Sequence, residues 1–183
     1  VRIVAGTARG RRIEAPPGRD TRPTTDRVRE ALFNALNSLG AITGATVVDL
    51  FAGSGALGLE ALSRGAAHVT FVESDRRTAT LVRRNATTLG MDDRATVVTG
   101  DAFDFLHTAT PVDLLLCDPP YEFDEWDALL AASPAPLVVA ESDRELIPPP
   151  GWELVRSKRY GTTVVTILER PSEAAAPTPE PTE

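Results

Sequence analysis

The chain has 183 residues, 42% of them apolar, a net charge of −7 and one cysteine, Cys117. That length suits a single core-forming domain, and a lone cysteine inside an apolar run excludes a disulfide framework or a cysteine-zinc pattern. No apolar run approaches ~20 residues and no signal-type segment opens the chain, so the reading is a cytoplasmic protein with no membrane span, no metal and no sign of assembly beyond a monomer.

The charge is unevenly placed. Residues 1–29 hold eight arginines against Glu14, Asp20 and Asp26, a balance of +5, which leaves −12 on the rest. Screening confines each charge to ~8–10 Å at physiological salt, so the local patch decides what binds there. A basic end on an acidic body points to a polyanion, with Arg2, Arg9, Arg11, Arg12 and Arg27 as candidates for a nucleic-acid backbone. A solvated arm without a partner is the alternative.

In chain order, Arg2 to Ala5 and Arg11 to Ala15 are short β-like runs around a turn at residues 6–10, which predicts a small hairpin outside the main sheet. Thr24 or Thr25 can cap a helix whose apolar positions Val28, Ala31, Leu32, Ala35, Leu36 and Leu39 recur at helical period, with Arg27 and Arg29 partly off the stripe and Gly40 as its end. From there strands and helices alternate. Strands are expected at 46–50, 68–73, 95–99, 112–117 and 137–141, and helices at 57–64, 76–89, 103–107 and 124–132. Buried apolar strands alternating with helices predict a parallel, doubly wound α/β sheet. Two further strands, 152–159 and 163–169, flank Gly161 and close the sheet as an antiparallel hairpin, the ending of a class I (Rossmann-like) methyltransferase with seven strands. Residues 1–20 thus read as a basic extension and 21–170 as the catalytic domain. Residues 171–183, rich in Ala, Pro and Glu, read as a disordered tail.

Two stretches carry chemistry. Gly53-Ser54-Gly55-Ala56-Leu57-Gly58 follows the first strand and matches a dinucleotide-binding loop by letter. Asp49 argues against that ligand, because a carboxylate at the strand tip repels a pyrophosphate. It suits a ligand presenting an ammonium group, such as S-adenosylmethionine, whose sulfonium is also positive. Glu73, 24 residues on, is placed for ribose hydroxyls, and Asp101 for an adenine amino group. Each acid alone could be a helix cap or a turn residue. With Asp118, four acids end four consecutive strands, where open α/β sheets bind their ligands.

The second stretch is Asp118-Pro119-Pro120-Tyr121. Two prolines cannot extend a ladder, so the strand ends in a rigid corner with a carboxylate, a free carbonyl and an aromatic ring. Asp118 and the Pro119 carbonyl can accept both hydrogens of a ring amino group while Tyr121 stacks on the ring; Pro120 stiffens the turn. A strand terminator beside a core tyrosine is the competing reading.

Residues 1–170 resemble the RsmD family of bacterial methyltransferases, through Arg9-Gly10-Arg11, the segment Thr21 to Asn34, Asp49 to Gly55, and Asp118 to Tyr121. The resemblance implies methyl transfer from S-adenosylmethionine to N2 of one guanine in 16S rRNA, within the small ribosomal subunit. It implies cofactor contacts from Phe51, Ala52, Gly53, Ser54 and Gly55, from Ser74 and Ala102 beside the acids, and from Asp49, Glu73, Asp101 and Asp118. Arg22 and Thr24 either line the methionine end of the cofactor or knit the first helix to it. Three rivals stand beside this reading. A DNA adenine-N6 methyltransferase uses the same corner but lacks room here for a target-recognition module. A cytosine-C5 enzyme needs a solvent-facing nucleophilic cysteine, which Cys117 is not. A non-catalytic RNA-binding protein predicts a damaged loop or corner, and both are intact.

Overall fold

The computed structural model describes residues 1–17 and 26–172. A seven-stranded sheet runs in the order β3-β2-β1-β4-β5-β7-β6. Its strands are β1 (Thr46–Leu50), β2 (His68–Glu73), β3 (Ala95–Thr99), β4 (Leu114–Cys117), β5 (Leu137–Ser142), β6 (Glu153–Tyr160) and β7 (Thr163–Glu169). β1 to β5 pair in parallel, while β7 pairs antiparallel with both β5 and β6. This is the predicted architecture.

Helices α1 (Asp26–Ser38), α2 (Ala56–Ser63) and α3 (Arg76–Leu89) cover one face; α4 (Ala102–Thr108) and α5 (Trp126–Ala132) cover the other. Strand alternation builds both layers. Val47, Leu114, Leu116 and Val139 pack toward α1–α3, whereas Val48, Leu50, Leu115, Cys117, Val138 and Ala140 pack toward α4 and α5. Local chemistry sets the ends. Asp75 accepts the Thr78 N–H at 2.7 Å to start α3, and Gly90, in the left-handed region, closes it. β4 begins two residues later than its apolar run predicts, because Asp113 binds the Thr46 N–H at 2.8 Å and its hydroxyl at 2.9 Å.

The N-terminal segment corrects two expectations. Its two halves do form a hairpin path, with Ile3 N–H donating to the Arg11 carbonyl and Gly10 N–H to Ile3, but only one antiparallel bridge, Arg2 to Arg12, replaces the two predicted strands. The cause is competition. Val4 and Ala5 donate instead to the buried Glu60 carboxylate at 2.8 and 3.0 Å, and Ala8 donates to Ser63 Oγ at 2.9 Å. Ile3, Ala8 and Ile13 are buried in the core as a result. Arg29 is the second correction. The expectation put it partly off the apolar stripe, yet it is 1% exposed, donating to the Arg2 carbonyl at 2.6 Å and to Asp26 at 2.7 Å. Burial lowers its pKa and Asp26 opposes that, so the pair clamps the hairpin to α1. The predicted Thr24 or Thr25 cap, Arg22 and the tail from 173 onward lie outside the described residues.

Gly6 is where this docking is tightest. It has φ +82°, and a Cβ there would stand 1.9 Å from the Ser63 carbonyl oxygen. Gly6→Ala is therefore expected to destabilise the fold by roughly 1–3 kcal/mol in urea unfolding. An unchanged midpoint would mean that the hairpin does not dock on α2.

Candidate active site

β1 has neighbours on both sides, β2 and β4, and the connections depart to opposite faces at that point. Open α/β sheets bind ligands in the crevice left there, beyond the carboxyl ends of the strands. The acids expected at four strand tips stand in two different states of exposure, Asp49 and Glu73 buried, Asp101 and Asp118 exposed.

Asp49 is 1% exposed and lies under the glycine loop, where its Oδ2 accepts the Gly58 N–H at 2.9 Å. Burial pushes its pKa well up; the Gly58 hydrogen bond opposes that, and the charges of Asp118 and Glu73 add to it. Glu73 accepts from Gly53 N–H through one oxygen and from Asp75 N–H through the other, each at 2.9 Å. It therefore ties the loop after β1 to the loop after β2. Asp101 caps α4, accepting from Phe103 and Asp104 N–H groups. Ser74 is exposed beside Glu73, and Ala102 is buried at the first turn of α4.

The loop itself is held from three sides. Ala52 N–H donates to the Val72 carbonyl and Gly55 N–H to Ala52. Phe51 adopts φ +66°, which is rare for a bulky side chain and needs such a surrounding frame. Asn85 was missed in the sequence. Its amide donates to the Ser54 and Glu14 carbonyls at 2.9 Å each, and its oxygen accepts from Glu14 N–H. A buried asparagine on the apolar face of α3 was the available signal.

The Asp118 corner forms one wall of a cavity of about 780 Å3, lined also by Pro119, Pro120, Tyr121 and Arg27. Asp118 presents surface to the crevice, but protein stands around its carboxyl. That enclosure raises its pKa to about 6. Tyr121 is half-exposed at the rim. Residues from farther along the chain complete the cavity: Phe123, Trp126, Glu141, Lys158 and Arg159. Phe123 lies edge-on to Trp126 at 5.0 Å and to Phe51 at 5.5 Å, which joins the glycine loop to the corner through aromatic contact.

The basic residues are divided. Arg27 and the unforeseen Lys158 and Arg159 line the cavity. Arg2 is ion-paired with Asp26 at 2.6 Å, beside Arg27, and Arg12 lies opposite it in the bridge. Arg9 and Arg11 are at the hairpin turn, which sits on the C-terminal ends of α2 and α3. Arg11 donates to the Leu89 carbonyl at 3.1 Å and to that of Thr88. A 14-residue helix spans ~21 Å, so that turn is at the far end of the sheet from Asp118.

The strand order and crevice define a class I methyltransferase fold. The comparisons agree with the geometry and narrow it. A family model described as Conserved hypothetical protein 95 matches residues 1–169. Ribosomal RNA small subunit methyltransferase D of Escherichia coli (strain K12) is 40% identical over 181 residues, covering 93% of this chain and 90% of the relative. Bacillus subtilis YlbH is 38% identical over 184 residues, covering 93% and 99%. Among solved structures, Escherichia coli yhhF superposes with a TM-score of 0.82 at 38% identity, covering 93% of this chain and 97% of that one. A Thermus thermophilus protein does so with 0.80 at 32%, covering 92% and 99%. The chain belongs to this family, the RsmD methyltransferases.

The raised pKa of Asp118 has a stability signature. Below about pH 4 both folded and unfolded chains hold this proton and the group is neutral in effect. Between about 4 and 6 the unfolded chain releases it first, so the group lowers stability as pH rises, and the full penalty persists above about 6. Asp118→Asn is expected to raise Tm at pH 7.5 and to leave it unchanged at pH 4. A lower Tm at pH 7.5 would show that the carboxylate supports the fold.

Proposed function

We propose that this chain transfers a methyl group from S-adenosylmethionine to the exocyclic N2 of one guanine in 16S rRNA, within the small ribosomal subunit. The observation that carries the reading is an Asp118–Pro119 corner forming the wall of a cavity roomy enough for a flipped-out base, beside the buried acid Asp49. The relatives named Ribosomal RNA small subunit methyltransferase D support the rRNA substrate.

The residues present fit the cofactor. Burial and the charges of Asp118 and Glu73 raise the cost of ionising Asp49, and a cationic ligand relieves that cost. Asp49 acts from beneath the loop, its own carboxylate already bonded to Gly58. Glu73 serves the ribose side and Asp101 the adenine side, with Phe51 to Gly55, Ser74 and Ala102 forming the cradle. Arg22 and Thr24, outside the described residues, are proposed either to line the methionine end or to knit the first helix to it. When bound, S-adenosylmethionine supplies an electrophilic methyl.

An exocyclic amine is a poor nucleophile because its lone pair is delocalised into the ring. Asp118 and the Pro119 carbonyl accept its two hydrogens, favour a pyramidal nitrogen and aim its lone pair across the crevice. Asp118 must be ionised to accept, and with a pKa of about 6 it is so at neutral pH. The nitrogen's surplus proton leaves to water at the open mouth. Tyr121 stacks on the flipped base, worth ~1–3 kcal/mol, in place of its lost neighbours. Positioning and electrostatics supply the rate. Arg27, Lys158 and Arg159 hold the phosphates next to the base, while Arg2, Arg9, Arg11 and Arg12 contact RNA farther along.

Three outcomes test this. Asp118→Ala should lower kcat by at least about 100-fold with the Kd for S-adenosylmethionine within a few-fold; retained turnover removes Asp118 from the reaction. Lys158→Ala with Arg159→Ala should weaken RNA binding and reduce the slope of log affinity against log salt by about 1.5, and an unchanged slope would place the RNA elsewhere. Nucleoside analysis after incubation with 16S RNA, 30S particles or DNA should find N2-methylguanosine in the ribosomal substrates alone. N6-methyladenosine in any of them would replace the reading with an adenine one.

A further inference from the structure

A shallow groove opens off the cavity between α1 and the edge strand β6. Ala31, Leu32 and Ala35 line it on one side and Arg156, Lys158 and Tyr160 on the other. Lys158 and Tyr160 line the cavity as well, so the groove is its continuation. The register fixes which way these β6 side chains point. Arg156 pairs with Ile167 and Lys158 with Val165, both of which pack into the core on the α1 side, and residues directly opposite in an antiparallel pair share a face. The Lys158 ammonium stands 5.3 Å from the centre of the Tyr160 ring, which puts those two side chains on that face together. On α1, Arg27, Ala31 and Ala35 recur at four-residue spacing, so one helical stripe runs from the cavity wall into the groove.

Shape and charge say what the groove takes. Its helix side presents two alanines, small enough for another chain to lie close against α1. Its strand side is cationic: Arg156 and Lys158 are exposed, and among the described residues neither is ion-paired. Same-face residues two apart on a strand are separated by ~7 Å, a spacing that suits successive phosphates of an extended nucleic-acid strand. An exposed edge strand can instead pair with a strand of another protein, but the register shift between Leu154 and Arg156 and the cations that follow are the features that keep an edge from such pairing. We propose that the RNA strand leaving the flipped guanine on one side runs through this groove, with Lys158 on the phosphate nearest the cavity, Arg156 on the next, and the sugar over Ala31 and Ala35. The inference rests on the RNA reading above and deepens it, by adding Arg156 and an alanine floor to the binding surface.

The test uses the full chain and 16S-derived RNAs in which single phosphates on either side of the target guanine are replaced, one at a time, by neutral methylphosphonates. Wild type is expected to lose affinity when phosphates of one flank are neutralised. Arg156→Ala, at an exposed position of an edge strand, is expected to be insensitive to one of those replacements and to lower the slope of log affinity against log salt by about 0.7. Ala35→Glu keeps every cation but sets a negative charge in the floor. It should weaken RNA binding by at least about fivefold while the Kd for S-adenosylmethionine stays within about twofold. An Arg156→Ala variant that responds like wild type at every phosphate, with an unchanged salt slope, overturns the proposal. So does an Ala35→Glu variant that binds RNA as wild type does. Self-association lost in Arg156→Ala with RNA affinity intact would give the groove to a second copy of the chain and overturn it too. If the phosphate responses appear but no N2-methylguanosine forms, the strand path stands and the guanine reading fails, so the two are read separately.

Discussion

Parallel pairing of β1 with β4 is the constraint on which the rest depends. Leu50 is paired with Cys117, so the next residues, Phe51 and Asp118, leave the sheet side by side. One begins the glycine loop and the other the double-proline corner. Because the chain winds away from that seam in opposite directions, a crevice opens there, and the proposed donor and acceptor sites share one edge. The flanking pairs extend the same logic, with β2 bringing Glu73 to one side and β5 bringing Glu141 to the other.

The seam is electrostatically costly. Asp49 is buried with one backbone partner, Asp118 is raised to about 6, and burial with both neighbouring carboxylates pushes the Cys117 thiol well up. A ligand that carries a sulfonium and an ammonium group answers that cost with two positive charges. The same crowding keeps Cys117 an inert packing residue, in line with amino-group chemistry and against a cysteine nucleophile.

Much of this was legible along the chain. Central parallel strands are buried on both faces, so β1, β2 and β4 read as apolar runs ended by Asp, Glu or Pro, and the acids could be placed on tips before any contact was known. What escaped notice came from pairings across long separations. Arg29 looks like a surface residue by period, because its partner is a carbonyl 27 positions earlier. Val4 and Ala5 look like strand residues until Glu60 takes their N–H groups. β6 is an edge strand exposed along most of its length, so it lacks the alternation that would have marked Lys158 and Arg159 as cavity residues. Phe51, Phe103 and the neighbouring pair Phe123 and Trp126 are far apart in the chain and meet because the loops after β1 and β4 and the start of α4 lie at the same edge of the sheet.

The most direct test of the central claim, that crowded carboxylates form a site for a cationic donor, is calorimetric binding of S-adenosylmethionine and of its neutral-sulfur product, S-adenosylhomocysteine, at pH 5 and pH 8. If Asp118, with its pKa near 6, faces the sulfonium, the preference for the cationic ligand grows as the pH rises and the carboxylate ionises. A preference that stays constant across that range, or shrinks, would contradict the account.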